Sequence, residues 1–245
     1  MYVDVHAHID LCKDIDAVIH NASRVGMKSI IVNGLNHENN QKVLDLSKKY
    51  PLVQPSFGLY PTDADKATEE EIEKTFAQIK KNKKEIIAIG EIGLDLKWLT
   101  ELKKQQAVFM DILDLSKKVH KPVIVHSRKA ELQVVESLQS SSVKKVVMHC
   151  FGGKKSIAKK GIDEGYSFSI PSHVVHDHHF QQLVDMIPLN QIMTETDSPY
   201  LSPVPGTENE PANVVLGVRK IAELKKIEEE ECAKIIYMNY QKMFL

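Results

Sequence analysis

The sequence predicts an α/β protein of the TIM-type (β/α)8 barrel class, formed as a single domain over residues 1–245. Eight short runs rich in β-branched residues alternate with longer segments of helical periodicity, the pattern of parallel strands joined by helices. The length of 245 residues is close to the roughly 250 residues of a typical barrel of this class. A doubly wound open sheet is the alternative, but no predicted strand is followed by the glycine-rich phosphate loop of such sheets.

The predicted strands are short, and several are continuous apolar runs, as expected for strands that are buried on both faces of a sheet. Ser29-Ile30-Ile31-Val32 and Val123-Ile124-Val125 show this composition most clearly. In chain order the predicted strands cover residues 2–6, 29–33, 53–58, 86–90, 122–126, 143–149, 166–170 and 192–196.

The segments between the strands carry helical signals. One segment begins with acidic residues at 69–71 and ends with lysines at 80–84, and this distribution of charge suits the dipole of a helix. We interpret these lysines as a solvated helix end rather than a nucleic-acid contact. Residues 214–245 predict a helical tail that completes the outer layer. The two apolar stripes at helical spacing are formed by Val108, Ile112, Leu115 and Val119, and by Leu132, Val135 and Leu138.

The composition excludes several classes of protein. Hydrophobic residues make up 42% of the chain and the formal net charge is -1, so global disorder is not expected. Three scattered cysteines do not form a disulfide framework, which indicates a reducing compartment. The sequence has neither a membrane-spanning apolar run nor a signal peptide, so a cytoplasmic protein without a membrane partner is expected. The near-zero charge also disfavours a protein that coats nucleic acid by bulk electrostatics.

Residues able to bind metal follow five of the eight predicted strands. In barrels of this class the reacting groups lie at the carboxyl ends of the strands, so these residues should converge on one face. The pair His6 and His8, taken alone, could instead form hydrogen bonds to neighbouring carbonyls, but convergence of the whole set of residues favours a metal site. The six residues are His6 and His8 after strand 1, Glu91 after strand 4, His126 after strand 5, His149 after strand 6 and Asp197 after strand 8.

Six ligands exceed the four of a tetrahedral zinc site, so two divalent ions are predicted. The first would bind His6, His8, Glu91 and Asp197, and the second would bind Glu91, His126 and His149, with Glu91 as the bridge. Imidazole and carboxylate ligands suit Zn, Mn, Fe or Co. Two such ions stabilise the attacking and leaving oxygens of a displacement. Asp197 would orient or deprotonate the attacking water, which makes Asp197 and Glu91 the predicted catalytic residues.

Five ordered motifs in the sequence resemble those of the TatD-type deoxyribonucleases, metal-dependent hydrolases of the amidohydrolase superfamily. The resemblance implies a TIM-type barrel, two divalent metal ions with Mg, Mn, Zn, Co or Ni as candidates, and hydrolysis of phosphodiester bonds in DNA, often as an exonuclease. The six predicted ligands all match motif positions. The motifs are Asp4-Val5-His6-Ala7-His8, Gly90-Glu91-Ile92-Gly93-Leu94-Asp95, Val125-His126-Ser127-Arg128, His149-Cys150-Phe151 and Glu195-Thr196-Asp197-Ser198-Pro199-Tyr200-Leu201.

Three departures from the family pattern concern the substrate rather than the metals, and one of them is Leu96-Lys97 in place of the family's aromatic pair after Gly-Leu-Asp. Tyr60 occupies the place of the histidine in the family's Gly-x-His-Pro motif, where the resemblance implies a substrate contact. A phenol can donate a hydrogen bond there but cannot act as a base near neutral pH. Glu208 replaces a basic residue of the family, and this change should weaken attraction for a polyanion.

Further residues near the predicted site have both a substrate-binding and a structural interpretation. Arg128 is expected to bind a phosphate, with a salt bridge to a neighbouring acid as the alternative. Lys154 either contacts a nucleic-acid backbone or begins a solvated helix. His173 belongs to a histidine-rich segment that we interpret as a polar loop, and it is the member expected to face the site. Trp98 is expected to pack a loop rather than stack on a base.

The sequence therefore predicts a metal-dependent hydrolase that cleaves phosphodiester bonds, with DNA as its substrate and with no obligate protein partner. A hydrolase of amides, lactones or small phosphate esters on the same barrel is the first alternative, because a fold does not determine a substrate. A non-catalytic metal-binding protein is the second alternative, and retention of all six ligands disfavours it.

Overall fold

The computed structural model of the chain describes residues 1–97 and 102–245. In these residues eight strands alternate with helices, and the strands follow their chain order across the sheet. The strands are β1 (Tyr2–Ala7), β2 (Met27–Asn33), β3 (Val53–Phe57), β4 (Ala88–Asp95), β5 (Val123–Arg128), β6 (Val146–His149), β7 (Ser167–Pro171) and β8 (Ile192–Glu195). The helices are α1 (Ile15–Arg24), α2 (His37–Lys49), α3 (Pro61–Lys66), α4 (Glu69–Lys81), α5 (Leu102–Val119), α6 (Glu131–Ser141), α7 (Lys155–Asp163), α8 (His178–Met186), α9 (Val214–Lys225) and α10 (Glu229–Phe244).

The topology of the sheet confirms the predicted fold class. The pairs β1–β2, β3–β4, β4–β5, β5–β6 and β7–β8 are all parallel. At least one helix lies between each strand and the next in the chain. Parallel strands in chain order, each followed by a helix, define the TIM-type (β/α)8 barrel. The extent of the domain, residues 1–245, stays a prediction.

The described residues form two compact units. Unit 1 consists of Met1–Val32, Leu46–Gln54 and Ser167–Leu245, and unit 2 consists of Asn33–Asp45 and Pro55–Tyr166. Unit 1 contains β1, β2, β7 and β8, and unit 2 contains β4, β5 and β6. Each unit carries its own share of the predicted ligands.

The carboxyl-terminal helix α10 is fixed to the strands of unit 1 by buried polar contacts. The Asn239 amide donates to the main-chain oxygens of Leu189 and Ile192, each at 2.8 Å, and the Tyr240 hydroxyl donates to Ser29 Oγ at 2.9 Å. These bonds tie α10 to the main chain before and at the start of β8 and to Ser29 of β2. The predicted helical tail is therefore confirmed, as two helices with a left-handed residue, Lys226, after the first.

Local sequence signals account for the helices of unit 2. α4 begins with a capping box in which the Thr68 main-chain nitrogen donates to Glu71 Oε2 at 2.7 Å, while Thr68 Oγ1 accepts from the Glu71 nitrogen at 3.3 Å. The predicted stripe of α5 is buried at Val108, Ile112 and Leu115. The stripe predicted for α6 is wrong at one position. Leu132 is 37% exposed, because the buried face of α6 runs instead through 134, 135, 137 and 138.

Strand β4 is longer than predicted, and this changes the position of Glu91. The sequence placed Glu91 at the end of its strand, but β4 continues to Asp95, which pairs with Arg128 of β5. Gly93 permits the extension because a Cβ there would overlap the His126 main-chain oxygen, and its φ of 139° suits glycine.

Trp98 lies outside the described residues. Within the described part of the chain, no helix combines the length and apolar character needed to cross a membrane.

Candidate metal centre

Three predicted ligands of unit 1 meet where β1 and β8 end. His6 and His8 extend from the end of β1, and Asp197 follows β8. His6 Nε2 lies 3.1 Å from His8 Nε2, and Asp197 Oδ1 lies 3.6 Å from His6 Nε2 and 3.7 Å from His8 Nε2. Both histidines are buried, while the Asp197 side chain is 17% exposed. The group is therefore a compact set of two imidazoles and one carboxylate with an opening to solvent at Asp197.

A buried carboxylate beneath this group holds the ends of β1 and β8 together. Asp4 Oδ1 accepts from the main-chain nitrogens of His6 and Thr196, each at 3.1 Å, and Asp4 Oδ2 accepts from Thr196 Oγ1 at 2.5 Å. Burial raises the pKa of Asp4 to about 8, although the hydrogen bonds from Thr196 and His6 oppose this shift. The Asp197 nitrogen also donates to the His6 oxygen at 2.9 Å. These contacts fix His6 and Asp197 relative to each other.

The other three predicted ligands meet in unit 2, on β4, β5 and β6. Glu91 Oε1 lies 2.8 Å from His126 Nδ1 and 3.8 Å from His149 Nε2. The rings of His126 and His149 are stacked, with their centroids 6.0 Å apart. Glu91 and His149 are buried, and the His126 side chain is 12% exposed. One carboxylate oxygen is thus shared by two imidazoles.

The electrostatics of His126 reflect its position between two carboxylates. Burial disfavours the protonated imidazole, but hydrogen bonds to Asp95 and Glu91 outweigh that penalty, so the pKa of His126 is raised above its usual value. A proton on Nδ1 would point at Glu91 Oε1, which lies 2.8 Å away. A cation that displaces this proton would therefore gain Nδ1 and the Glu91 carboxylate as ligands together.

Both groups fit a divalent metal ion. In each group the three ligand atoms lie within 4.8 Å of one another. Nitrogen and oxygen atoms bound to one ion at about 2.1 Å lie about 3–3.5 Å apart, which requires only small side-chain movements in either group. The absence of cysteine from both groups excludes the thiolate type of structural zinc site. The imidazole and carboxylate sets leave room for water or substrate oxygens, as sites of hydrolytic metals do.

A comparison with known protein families shows to which family the chain belongs. Residues 3–245 match the family described as TatD related DNase. The chain belongs to the TatD family. It is therefore a metal-dependent hydrolase of that family, and the resemblance read from the motifs is confirmed.

Relatives of known sequence or structure agree with this membership. An uncharacterized metal-dependent hydrolase of Methanocaldococcus jannaschii is 37% identical, over 99% of this chain and 96% of its own. A human protein named as a deoxyribonuclease is 32% identical, over 99% of this chain and 94% of its own. The crystal structure of a TatD homologue from Escherichia coli superimposes with a TM-score of 0.93 at 25% identity, covering 99% of this chain and 97% of its own.

The residues predicted to contact substrate occupy different surroundings. Tyr60 lies against the second ligand group, with its hydroxyl 3.3 Å from His126 Nε2. Arg128 is exposed at the end of β5, and Lys154 is exposed before α7; among the described residues neither forms an ion pair. His173, in a 3-10 turn after β7, contacts its own loop, with Nε2 3.3 Å from Asp177 Oδ2. The predicted substrate contacts of all four residues stay predictions.

Sequence reasoning did not assign a role to Asp95, although it is completely buried beside the second ligand group. Asp95 Oδ2 lies 3.3 Å from His126 Nε2 and accepts from the Tyr60 hydroxyl at 3.0 Å. Burial opposes ionisation of Asp95, but hydrogen bonds, first that of His126 and then those of the Lys97 nitrogen and Tyr60, lower its pKa overall. The signal that could have identified Asp95 is its place in the Gly-Leu-Asp motif, four residues after Glu91.

Proposed function

We propose that this TatD-family hydrolase cleaves phosphodiester bonds in DNA with two divalent metal ions. The observation that carries the proposal is the pair of ligand groups, His6–His8–Asp197 and Glu91–His126–His149, each assembled from two buried side chains and one partly buried side chain. The family description as TatD related DNase and the deoxyribonuclease name of the human relative support DNA as the substrate.

Each ligand group would hold one ion, and Glu91 would bridge the two. The fold class supports this part of the proposal, because reacting groups in barrels of this class come from the carboxyl ends of several different strands. Mg, Mn, Zn, Co and Ni all accept nitrogen and carboxylate ligands of this kind. Divalent ions bound in this way activate water as a nucleophile and stabilise negative charge on the oxygens of a displacement.

The protein's own residues would orient the reactants. Asp197 is the ligand with the most exposed side chain in its group, so its second carboxylate oxygen can accept a proton from an attacking water. Arg128 supplies an exposed guanidinium at the end of β5, and its planar fork suits the phosphate of the scissile bond. Lys154 would contact the nucleic-acid backbone, and His173 would face the site from its loop. Tyr60 would approach the substrate with its hydroxyl oxygen.

A substrate panel tests the proposal directly. Single-stranded DNA, duplex DNA, RNA and small phosphate esters are incubated with the chain in Mg, Mn and Zn, with a chelator as the blank. We expect metal-dependent release of nucleotides from DNA, and loss of this activity in Asp197→Asn. Equal or greater turnover of small esters, with none of DNA, would contradict the proposal.

The role of Arg128 needs a matched control, because any lost cation weakens attraction for DNA. Lys129 is the neighbouring exposed cation, so Arg128→Met and Lys129→Met remove the same charge one residue apart. A phosphate contact predicts that Arg128→Met lowers the slope of log affinity against log salt by about one unit. Equal slopes for the two variants would contradict the contact.

Hydrolysis of an amide, lactone or small phosphate ester is the second candidate function. The observation that favours it is Glu208, an exposed acid at a position where the family carries a base, in a chain of net charge -1. Such a surface attracts a polyanion weakly. DNA binding that does not change with salt concentration would support this second candidate.

A further inference from the structure

We propose that Tyr60 and Asp95 form a positioning pair that holds the imidazole of His126 with Nδ1 directed at the metal. The inference rests on the proposed metal centre and concerns only how unit 2 presents one of its ligands. It assigns a role to Asp95 and a second role to Tyr60.

The two ring nitrogens of His126 face different partners. Nδ1 lies 2.8 Å from Glu91 Oε1, on the side of the ligand group. Nε2 lies 3.3 Å from Asp95 Oδ2 and 3.3 Å from the Tyr60 hydroxyl, on the opposite side. Nδ1 is therefore the nitrogen available to an ion held with Glu91. A proton on Nε2 directed at Asp95 leaves the Nδ1 lone pair for that ion.

Asp95 is suited to accept a hydrogen bond from the Nε2 proton of His126 because the position of Asp95 is itself fixed. Its Oδ1 accepts from the Lys97 nitrogen at 2.9 Å, and its main-chain nitrogen donates to Gln105 Oε1 at 2.9 Å. Gln105 Nε2 donates back to the Asp95 oxygen at 3.1 Å. The Lys97 nitrogen thus holds the carboxylate of Asp95, and Gln105 of α5 holds its main chain, so the carboxylate can fix the ring of His126.

Tyr60, which lies between β3 and α3, completes the arrangement. Its hydroxyl has one proton, which it donates to Asp95 Oδ2 at 3.0 Å. Its main-chain nitrogen donates to the Leu35 oxygen at 2.8 Å, and its ring meets the ring of His126 edge to face at 5.0 Å. The phenol therefore orients the carboxylate and closes one side of the His126 ring. Toward a substrate it retains only the acceptor capacity of its oxygen.

This arrangement explains how a tyrosine can replace the histidine of the family motif without loss of the metal centre. The replacement adds a donor that points at Asp95, and it adds no atom that competes for the ion. A carboxylate behind a metal-bound histidine raises the basicity of the ligand and fixes its tautomer.

The test measures Mn²⁺ affinity by titration calorimetry in wild type, Tyr60→Phe and Asp95→Asn. Loss of such an outer partner weakens metal binding by about 10–100-fold, and we expect the larger loss for Asp95→Asn and about tenfold for Tyr60→Phe. Tyr2→Phe is the matched control, because the Tyr2 hydroxyl donates to Glu229 at 2.9 Å on helix α10 of unit 1. We expect Tyr2→Phe to bind Mn²⁺ as wild type does.

A second readout follows the tautomer itself. With Zn²⁺ bound, long-range 1H–15N spectra should show His126 protonated at Nε2 only, with a proton that exchanges slowly with water. In Tyr60→Phe and in Asp95→Asn this proton should exchange faster, and in Tyr2→Phe it should not change. A purely structural loss would lower thermal stability without altering this exchange rate.

The outcomes separate the inference from the proposed function. A wild-type chain that binds no Mn²⁺ would contradict the metal centre, and the inference would fail with it. Binding in wild type that is unchanged in both Tyr60→Phe and Asp95→Asn, or equally weakened in Tyr2→Phe, would overturn the inference alone. If Asp95→Asn does not fold, Tyr60→Phe decides, since it removes one oxygen and keeps the ring.

Discussion

Glu91→Gln should abolish most of the thermal stabilisation that metal ions give to the chain. The substitution keeps the volume of the side chain and removes the charge that lies between His126 Nδ1 at 2.8 Å and His149 Nε2 at 3.8 Å. An amide oxygen is a much weaker ligand than a carboxylate oxygen for Zn or Mn.

The expected magnitude follows from linkage between binding and folding. An ion at 100 times its Kd stabilises the folded chain by about 2.7 kcal/mol. For a chain of 150–250 residues each kcal/mol raises Tm by about 2–4 °C, so one ion should raise Tm by about 5–11 °C. Two ions should roughly double this shift. If Glu91 bridges both ions, Glu91→Gln loses nearly the whole shift, and if it binds one ion, about half remains.

Differential scanning fluorimetry with and without Mn²⁺, together with the metal content of the dialysed protein, measures these quantities. Each variant is compared with its own metal-free form, so any change in metal-free stability cancels. Glu85→Gln is the control, because Glu85 is an exposed acid near the start of β4 and belongs to neither ligand group. A Glu91→Gln variant with the wild-type shift and the wild-type metal content would refute the reasoning.

Three further predictions concern pH, packing and backbone. The pKa of His126 is raised above the usual imidazole value of about 6.5, so protons should compete with the metal already above that value. The affinity for Mn²⁺ should therefore fall as pH decreases through the raised pKa. Calorimetry from pH 8 to 5 measures this, and a midpoint below 6.5 would contradict the prediction. Asn239→Ala removes both hydrogen bonds from the Asn239 amide to the Leu189 and Ile192 oxygens and should lower the free energy of unfolding by about 1–3 kcal/mol in urea, whereas the exposed Gln241→Ala should not. Gly93→Ala should lower both stability and Mn²⁺ affinity, because its Cβ meets the His126 main chain, whereas Gly165→Ala, with a φ of 82° and no atom within 4 Å, should cost about 1 kcal/mol and leave affinity unchanged.

The strand pattern and the ligand types could be predicted because both are local properties of the sequence. Runs such as Ile30-Ile31-Val32 are buried wherever they occur in a sheet, and the side chain that follows such a run lies at a strand end. Two histidines two residues apart, His6 and His8, point to one side of an extended chain, and their Nε2 atoms are indeed 3.1 Å apart. The structure brings His6, His8 and Asp197 together in unit 1 and Glu91, His126 and His149 together in unit 2, and their role as metal ligands stays a prediction.

The contacts around His126 could not be predicted, because they depend on where β4 ends and how far apart two main chains lie. Glycine is depleted in strands, yet Gly93, Leu94 and Asp95 of β4 all pair with β5. That extension carries Asp95 to the level of Arg128 and turns its carboxylate toward Nε2 of His126. Only the close approach of the two main chains, which involves residues 33 apart in the chain, reveals this role.

The charge at Glu208 shows why a substitution read from the sequence does not translate directly into a change of electrostatic field. The sequence predicts that Glu208 repels a polyanion. In unit 1, however, Lys13 Nζ lies 2.5 Å from Glu208 Oε1, and the two side chains are 84% and 50% exposed. An exposed pair of this kind adds little stability, but while it is formed the two residues carry no net charge. Glu208 therefore weakens attraction for DNA by less than the loss of a base alone would indicate, and divalent ions in the two ligand groups would add positive charge that the side chains lack. If the chain binds DNA as proposed, the salt dependence of that binding would report mainly on exposed cations such as Arg128.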